Sequence, residues 1–203
     1  MNQVYSFNYV KACIRLTISA AVVAIVVISP HLASAETPTA LSMPQAMADK
    51  IRAPEAGKET FDTPFFNAKE EPLTLNDFKG RGLVVNFWAT WCAPCIREMP
   101  SLNRLAKSLE GTGVEFLAIS EDRKGPKIVP DFLKTKGFES LKPYYDPKGL
   151  LARKFGIVGL PSTVLINAEG LYMGRVMGTL EWDSPDIKAF LVQDLAPKPT
   201  PDN

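Results

Sequence analysis

Two cysteines stand three positions apart at Cys92-Ala93-Pro94-Cys95, inside the stretch "NFWATWCAPCIREMP". Thiols at that spacing have four chemical uses: a small structural disulfide, a metal site, an inert place in a core, or a dithiol–disulfide redox cycle. A structural disulfide across so short a loop restrains the unfolded chain little. Two thiolates are only half of a tetrahedral zinc site. The third cysteine, Cys13, and the sole histidine, His31, both lie in the first thirty-five residues. Without that segment the chain has no imidazole, which excludes Cys/His zinc patterns, His-activated nucleophiles and copper sites built on histidine. Paired thiols do not stay inert in an oxidising compartment, and a redox cycle is the use that fits best.

The elements that must hold this pair can be read from the pattern around it. Leu83–Ala89, "LVVNFWA", is a continuous apolar run interrupted only by Asn86, as expected of a strand buried on both faces. Val114–Ser120 and Ser162–Ala168 read the same way, and Leu171–Gly178 follows Glu169-Gly170 as a hairpin partner. A helix is expected from the second cysteine onward, with Ile96, Met99, Leu102, Leu105 and Leu109 on one face and a kink or weak turn at Pro100. Further helices are expected near Val129–Lys136, Lys148–Phe155 and Ser184–Leu195. Alternating strands and helices imply an α/β domain, a central mixed sheet with helices on both faces. Cys92 then follows the end of a buried strand, and Cys95 lies in the opening turn of a helix. A thiolate there faces unpaired backbone N–H groups and the positive end of the helix dipole. In such settings a thiol drops from about 8.5 into the range of about 3.5–7.5. Cys92 is the expected nucleophile, and Cys95, one turn deeper, the resolving thiol.

The two ends differ in kind from this domain. Lys11 and Arg15 precede the uncharged run Leu16–Ile28, and Ala33-Ser34-Ala35 has the small-x-small form of a signal-peptidase site. A helix of that run spans about 20 Å, short of a hydrocarbon core of about 30 Å. Residues 1–35 therefore read as a signal peptide, or as an uncleaved anchor if Pro30, His31 and Leu32 extend the span. Residues 36–59 read as a flexible spacer, with a short helix expected within Leu41–Arg52; 60–195 read as the folded domain, and 196–203 as a disordered tail. Loss of Lys11 and Arg15 leaves 21 of the 23 basic residues against 22 acidic ones, a net charge near −1. No cationic surplus remains to bind nucleic acid.

"VVNFWATWCAPCIREMP" resembles the active-site segment of the thioredoxin superfamily, most closely its TlpA/ResA/CcmG branch of exported, often membrane-tethered thiol-disulfide oxidoreductases. "FGIVGLPSTVLINAEG", Phe155–Gly170, is similar to the second signature of that branch. The resemblance covers about residues 60–195. It implies a thioredoxin-like fold with a TlpA-type helical insert, here Glu121–Pro147. That insert also reads as an ordinary amphipathic helix and loop, or as a partner-recognition surface. By the same resemblance Pro161 is a cis-proline opposite the cysteines, and the backbone of Leu160 pairs with an incoming substrate strand. Trp91 partly covers the thiols, whereas Trp88 reads equally as core. Glu98 occupies the place of an active-site glutamate that influences the thiols; the alternative is a solvated carboxylate favouring the first helical turn. Asn86 departs from thioredoxin, which carries a buried aspartate there, so Glu98 or water becomes the candidate proton acceptor.

The function this implies is reduction of target protein disulfides in the periplasm, without organic cofactor or metal. Apocytochrome c or copper-centre assembly proteins are the targets the branch suggests, and a membrane electron donor would recharge a monomeric protein. Membrane contact is expected only through an uncleaved N-terminal segment. Ala93-Pro94 lacks the histidine typical of strong exported oxidants, which tilts the reading towards a reductant. Two other classes compete: a copper or metal chaperone using the two thiols as ligands, and a thiol peroxidase. The peroxidase class needs a threonine three residues before the reactive cysteine, where this chain has Ala89.

Overall fold

Seven consecutive residues of the run before the cysteines, Gly82–Trp88, are buried, and this strand (β4) is the centre of the structure. Its side chains alternate between two cores, as the period of a strand requires. Val84 and Trp88 face one apolar cluster; Leu83, Val85 and Phe87 face the other. Asn86 shares the face of Val84 and Trp88, which places one amide inside an apolar layer. The computed structural model describes residues 43–52 and 62–198. The expected export segment at 1–35, both ends of the expected spacer and most of the tail lie outside those residues. Among the described residues no helix is long and apolar enough to cross a membrane.

β4 is flanked by parallel β5 (Val114–Ser120) and antiparallel β7 (Ser162–Ile166). β6 (Pro143–Tyr145) extends the parallel side beyond β5, and β8 (Tyr172–Met177) forms the expected hairpin with β7. Three two-residue strands complete an eight-stranded mixed sheet: β1 (Ile51–Arg52) on β8, and β2 (Phe65–Phe66) and β3 (Pro72–Leu73) beyond β6. Helices cover both faces. The long helix α2 (Ala93–Ser108) and α5 (Pro185–Leu195) pack over Val84 and Trp88 through Met99, Leu102, Ile187 and Leu191, joined by α3 (Gly125–Lys136) through Val129. The short helix α4 (Leu150–Lys154) and a 3-10 turn at Leu75–Phe78 cover the other face. This is the thioredoxin-like α/β arrangement the motifs imply.

Three local expectations differ from the structure. α2 runs without interruption through Pro100, which is exposed; its missing N–H frees only one carbonyl, on the solvent side of a helix held by its buried face. Ile96 is only half-buried, because the inward stripe runs through Cys95, Glu98, Met99, Leu102 and Leu105. The insert between β5 and β7 supplies a strand, β6, as well as the helix α3.

The stretch read as a spacer carries structure of its own. A four-residue helix, α1 (Gln45–Ala48), buries Met47 completely, and β1 then pairs Ile51 with Val176 and Arg52 with Arg175. The first two residues of the expected helix Leu41–Arg52 lie outside the described residues, and its last two join the sheet instead. Gly174 permits that approach: its φ is +150, and a Cβ there would stand 2.9 Å from Ile51 Cδ1.

Candidate active site: a disulfide at the start of a helix

Cys92 is the N-cap of α2, and its sulfur accepts the backbone N–H of Cys95 at 3.3 Å. Pro94 sits in the first turn, where a missing N–H removes nothing the helix needs. The sulfurs of Cys92 and Cys95 are bonded to one another, with their Cα atoms 5.3 Å apart. The loop between β4 and the cysteines is braced to the end of β5. Asp122 accepts from the Thr90 N–H and hydroxyl, both at 2.8 Å, and from the Ser120 hydroxyl at 2.8 Å. Cys95 is fully buried and Cys92 is 5% exposed. Only Cys92 opens onto a groove of about 1200 Å³, which Trp91, Pro94, Glu121, Arg153 and Leu160 also line.

The residues singled out by sequence converge here from separate elements. Trp91 is 70% exposed and lines the groove. Leu160 lines the groove, and the Leu160–Pro161 peptide bond is cis. Among the described residues, neither the N–H nor the carbonyl of Leu160 has a hydrogen-bonding partner, which leaves backbone groups free at the groove wall. Trp88 is core: it is 1% exposed and packs on Phe132.

Glu98 lies on the inward stripe of α2, one turn beyond Cys95, and is 4% exposed. Its carboxyl accepts three hydrogen bonds: Trp182 Nε1 at 3.0 Å and the Leu180 N–H at 3.2 Å on one oxygen, Asn86 Nδ2 at 3.2 Å on the other. Burial pushes its pKa up to about 7, against the pull of those three donors and of the Lys50 charge. Asn86 Nδ2 also donates to Thr163 at 3.0 Å, while Asn86 Oδ1 has no partner. Turned over, that amide would present Oδ1 as the acceptor for a protonated Glu98.

Sequence reading did not find Trp182, Lys50 or Glu121. Buried tryptophans usually pair their indole N–H, and that of the fully buried Trp182 donates to Glu98. Glu121 begins the stretch read as the insert, and it is a wall of the groove. Burial pushes its carboxyl up to about 8, helped by the charge and hydrogen bond of Asp146 and opposed by Arg153. Asp146 is fixed by the N–H groups of Leu150, Leu151 and Ala152 at 2.8, 2.8 and 3.0 Å.

A disulfide seated at a helix N-terminus, beside a cis-proline in a thioredoxin-like sheet, defines a thiol-disulfide oxidoreductase of the thioredoxin superfamily. Sequence relatives agree. The chain belongs to the AhpC/TSA family, whose model matches residues 52–171. The thiol-disulfide oxidoreductase ResA of Bacillus cereus is 31% identical over 134 residues, which cover 66% of this chain and 76% of that protein. ResA of Bacillus subtilis is 34% identical over 133 residues, covering 62% and 73%. Among solved structures, a thiol:disulfide interchange protein from Chlorobium tepidum matches with a TM-score of 0.52 at 25% identity, covering 70% of this chain and 97% of that one. The exposed lipoprotein thioredoxin Etrx1 of Streptococcus pneumoniae matches with a TM-score of 0.52 at 25% identity, covering 60% and 92%. The chain thus falls in the TlpA/ResA/CcmG-like part of the superfamily.

Proposed function

We propose that this protein reduces disulfides of other proteins outside the cytoplasm. In the reduced protein the Cys92 thiolate attacks one sulfur of a target disulfide, forming a mixed disulfide and releasing one target thiolate. Cys95 loses its proton and attacks the Cys92 sulfur, which releases the second target thiolate. The target has gained two electrons, its two thiolates take up protons, and the protein is left with the bond seen between Cys92 and Cys95. Glu98, with its pKa near neutrality, receives the Cys95 proton. Trp91 offers an apolar wall to the target segment, and the free backbone of Leu160 beside Pro161 pairs with it as an added strand. The observation that carries this reading is the asymmetry of the pair: one sulfur reaches the groove and the other is sealed behind it.

Ala93-Pro94 offers no imidazolium to stabilise a thiolate, which favours a reductant. The signal-like residues 1–35 favour export to the periplasm, free or anchored, and one structural relative is an exposed lipoprotein. Cytochrome c maturation or copper-centre assembly is the role proposed for the targets, with a membrane donor returning electrons. Equilibration of the Cys92–Cys95 pair against a glutathione buffer tests the direction. The expected potential is near that of thioredoxin, about −270 mV, whereas a value near about −120 mV would make the protein an oxidant.

The metal-chaperone reading lacks the histidine expected of such a site, because the one histidine, His31, lies within residues 1–35. Ala89 disfavours a peroxidase, because no hydroxyl stands three residues before Cys92.

A further inference from the structure

The segment ahead of the central domain reaches Glu98. Met47 buries into the same cluster as Leu180 and Trp182, the residues whose N–H groups bind the Glu98 carboxyl. The Lys50 carbonyl accepts the Met177 N–H at 3.1 Å as β1 joins β8. Lys50 Nζ then donates to the carbonyl of Thr179 at 2.6 Å, and the next residue along, Leu180, donates its N–H to Glu98. Lysine and glutamate thus grip one loop at adjacent residues. Both also line an opening of about 430 Å³, together with Ala46, Arg97, Thr179 and Glu181. The groove beside Cys92 is lined by other residues, so Glu98 meets solvent on a different side from the expected substrate.

We propose that Lys50 is a positioning residue that lowers the proton affinity of Glu98, and that the opening it lines is the route by which Glu98 exchanges its proton while a target fills the groove beside Cys92. The functional meaning rests on the reading of Glu98 as proton acceptor; the electrostatic part does not. A lysine ammonium near a buried carboxyl favours the ionised form and so offsets part of the burial cost. Its pull on Glu98 is in that direction. The other groups facing Glu98 are Asn86 of β4, which is itself bound to Thr163 of β7, and Trp182 and the Leu180 N–H of the loop after β8. Arg97 of α2 and the carboxyls of Asp49 and Glu181 complete the charged lining of the opening. Lys50, like Asp49, is supplied by a segment whose fold is otherwise an edge addition to the sheet.

Carboxyl carbon NMR of Glu98 in the oxidised protein tests this. In Lys50→Met the Glu98 midpoint is expected to rise by about half a pH unit, a roughly threefold loss of ionised carboxyl below neutrality. Lys50→Arg, which keeps the charge, is expected to restore it. In the unaltered protein, the Lys50 ammonium signal is expected to show a step at the Glu98 midpoint, a measurement that needs no variant to fold. An unmoved Glu98 midpoint in folded Lys50→Met, or no such step in the unaltered protein, overturns the proposal. The exchange rate as a function of pH separates the two readings. If the Glu98 midpoint moves and the rate profile does not follow, Lys50 tunes Glu98 but Glu98 takes no part in exchange.

Discussion

Cys95→Ser is expected to accumulate covalent adducts with its protein targets through Cys92, while Cys92→Ser accumulates none and loses disulfide exchange by at least about a thousandfold. The two variants differ because the two sulfurs are not equivalent. Cys92 is the N-cap of a sixteen-residue helix, accepts a backbone N–H, and opens onto the groove; Cys95 is fully buried. A target disulfide can therefore approach only Cys92, and only Cys95 stands close enough to displace the product. Removing the first stops the cycle before it begins. Removing the second stops it at the mixed disulfide, which non-reducing electrophoresis reveals as a band of higher mass. Adducts with Cys92→Ser and none with Cys95→Ser would reverse the roles.

Glu98→Gln is expected to alter both the stability and the chemistry, with opposite signs. The folded protein holds a proton on Glu98 up to about pH 7, whereas the unfolded chain releases it near 4.5. Between those values the native state binds more protons, so stability falls as pH rises through this window. The penalty is fully present above about pH 7 and amounts to at most about 3 kcal/mol. Glutamine carries no charge to bury, and the Asn86 amide can turn to offer its unpartnered oxygen to the new NH₂ group. The oxidised variant should lie about 1 kcal/mol below the original protein near pH 4, the cost of imperfect hydrogen bonds, and exceed it by about 2 kcal/mol at pH 8. Urea unfolding at the two pH values reads this. Exchange should slow by about a hundredfold, with a shifted thiol titration, as expected when a proton acceptor is removed. Parallel stability profiles and unchanged thiol titration would remove Glu98 from the mechanism.

The parts of the fold that were legible in the sequence are those long enough to show a period. β4, β5, β7, β8 and the helices α2 and α5 all announce themselves as apolar runs or stripes. β1, β2 and β3 have two residues each, too few for alternation to appear, and they form only because a neighbouring strand offers free backbone groups. The cysteines were legible because strand end, spacing and helix start all agree. The setting of Glu98 was not. Its carboxylate reads as an active-site group or as a solvated one, and nothing local shows that Trp182, 84 residues along, binds it or that Lys50, from a stretch that reads as a spacer, lines the same opening. Contacts of that range depend on the assembled sheet, and no local pattern encodes them.

The most direct test is the rate at which Cys92 of the reduced protein is alkylated as a function of pH, with Cys95 replaced by serine. A sulfur held as thiolate by the start of α2 should react with a midpoint well below the value of about 8.5 for an ordinary peptide thiol, and should still react fast at neutral pH. A profile that superimposes on that of a free peptide thiol, or no reaction in the folded protein, would contradict a redox site centred on Cys92.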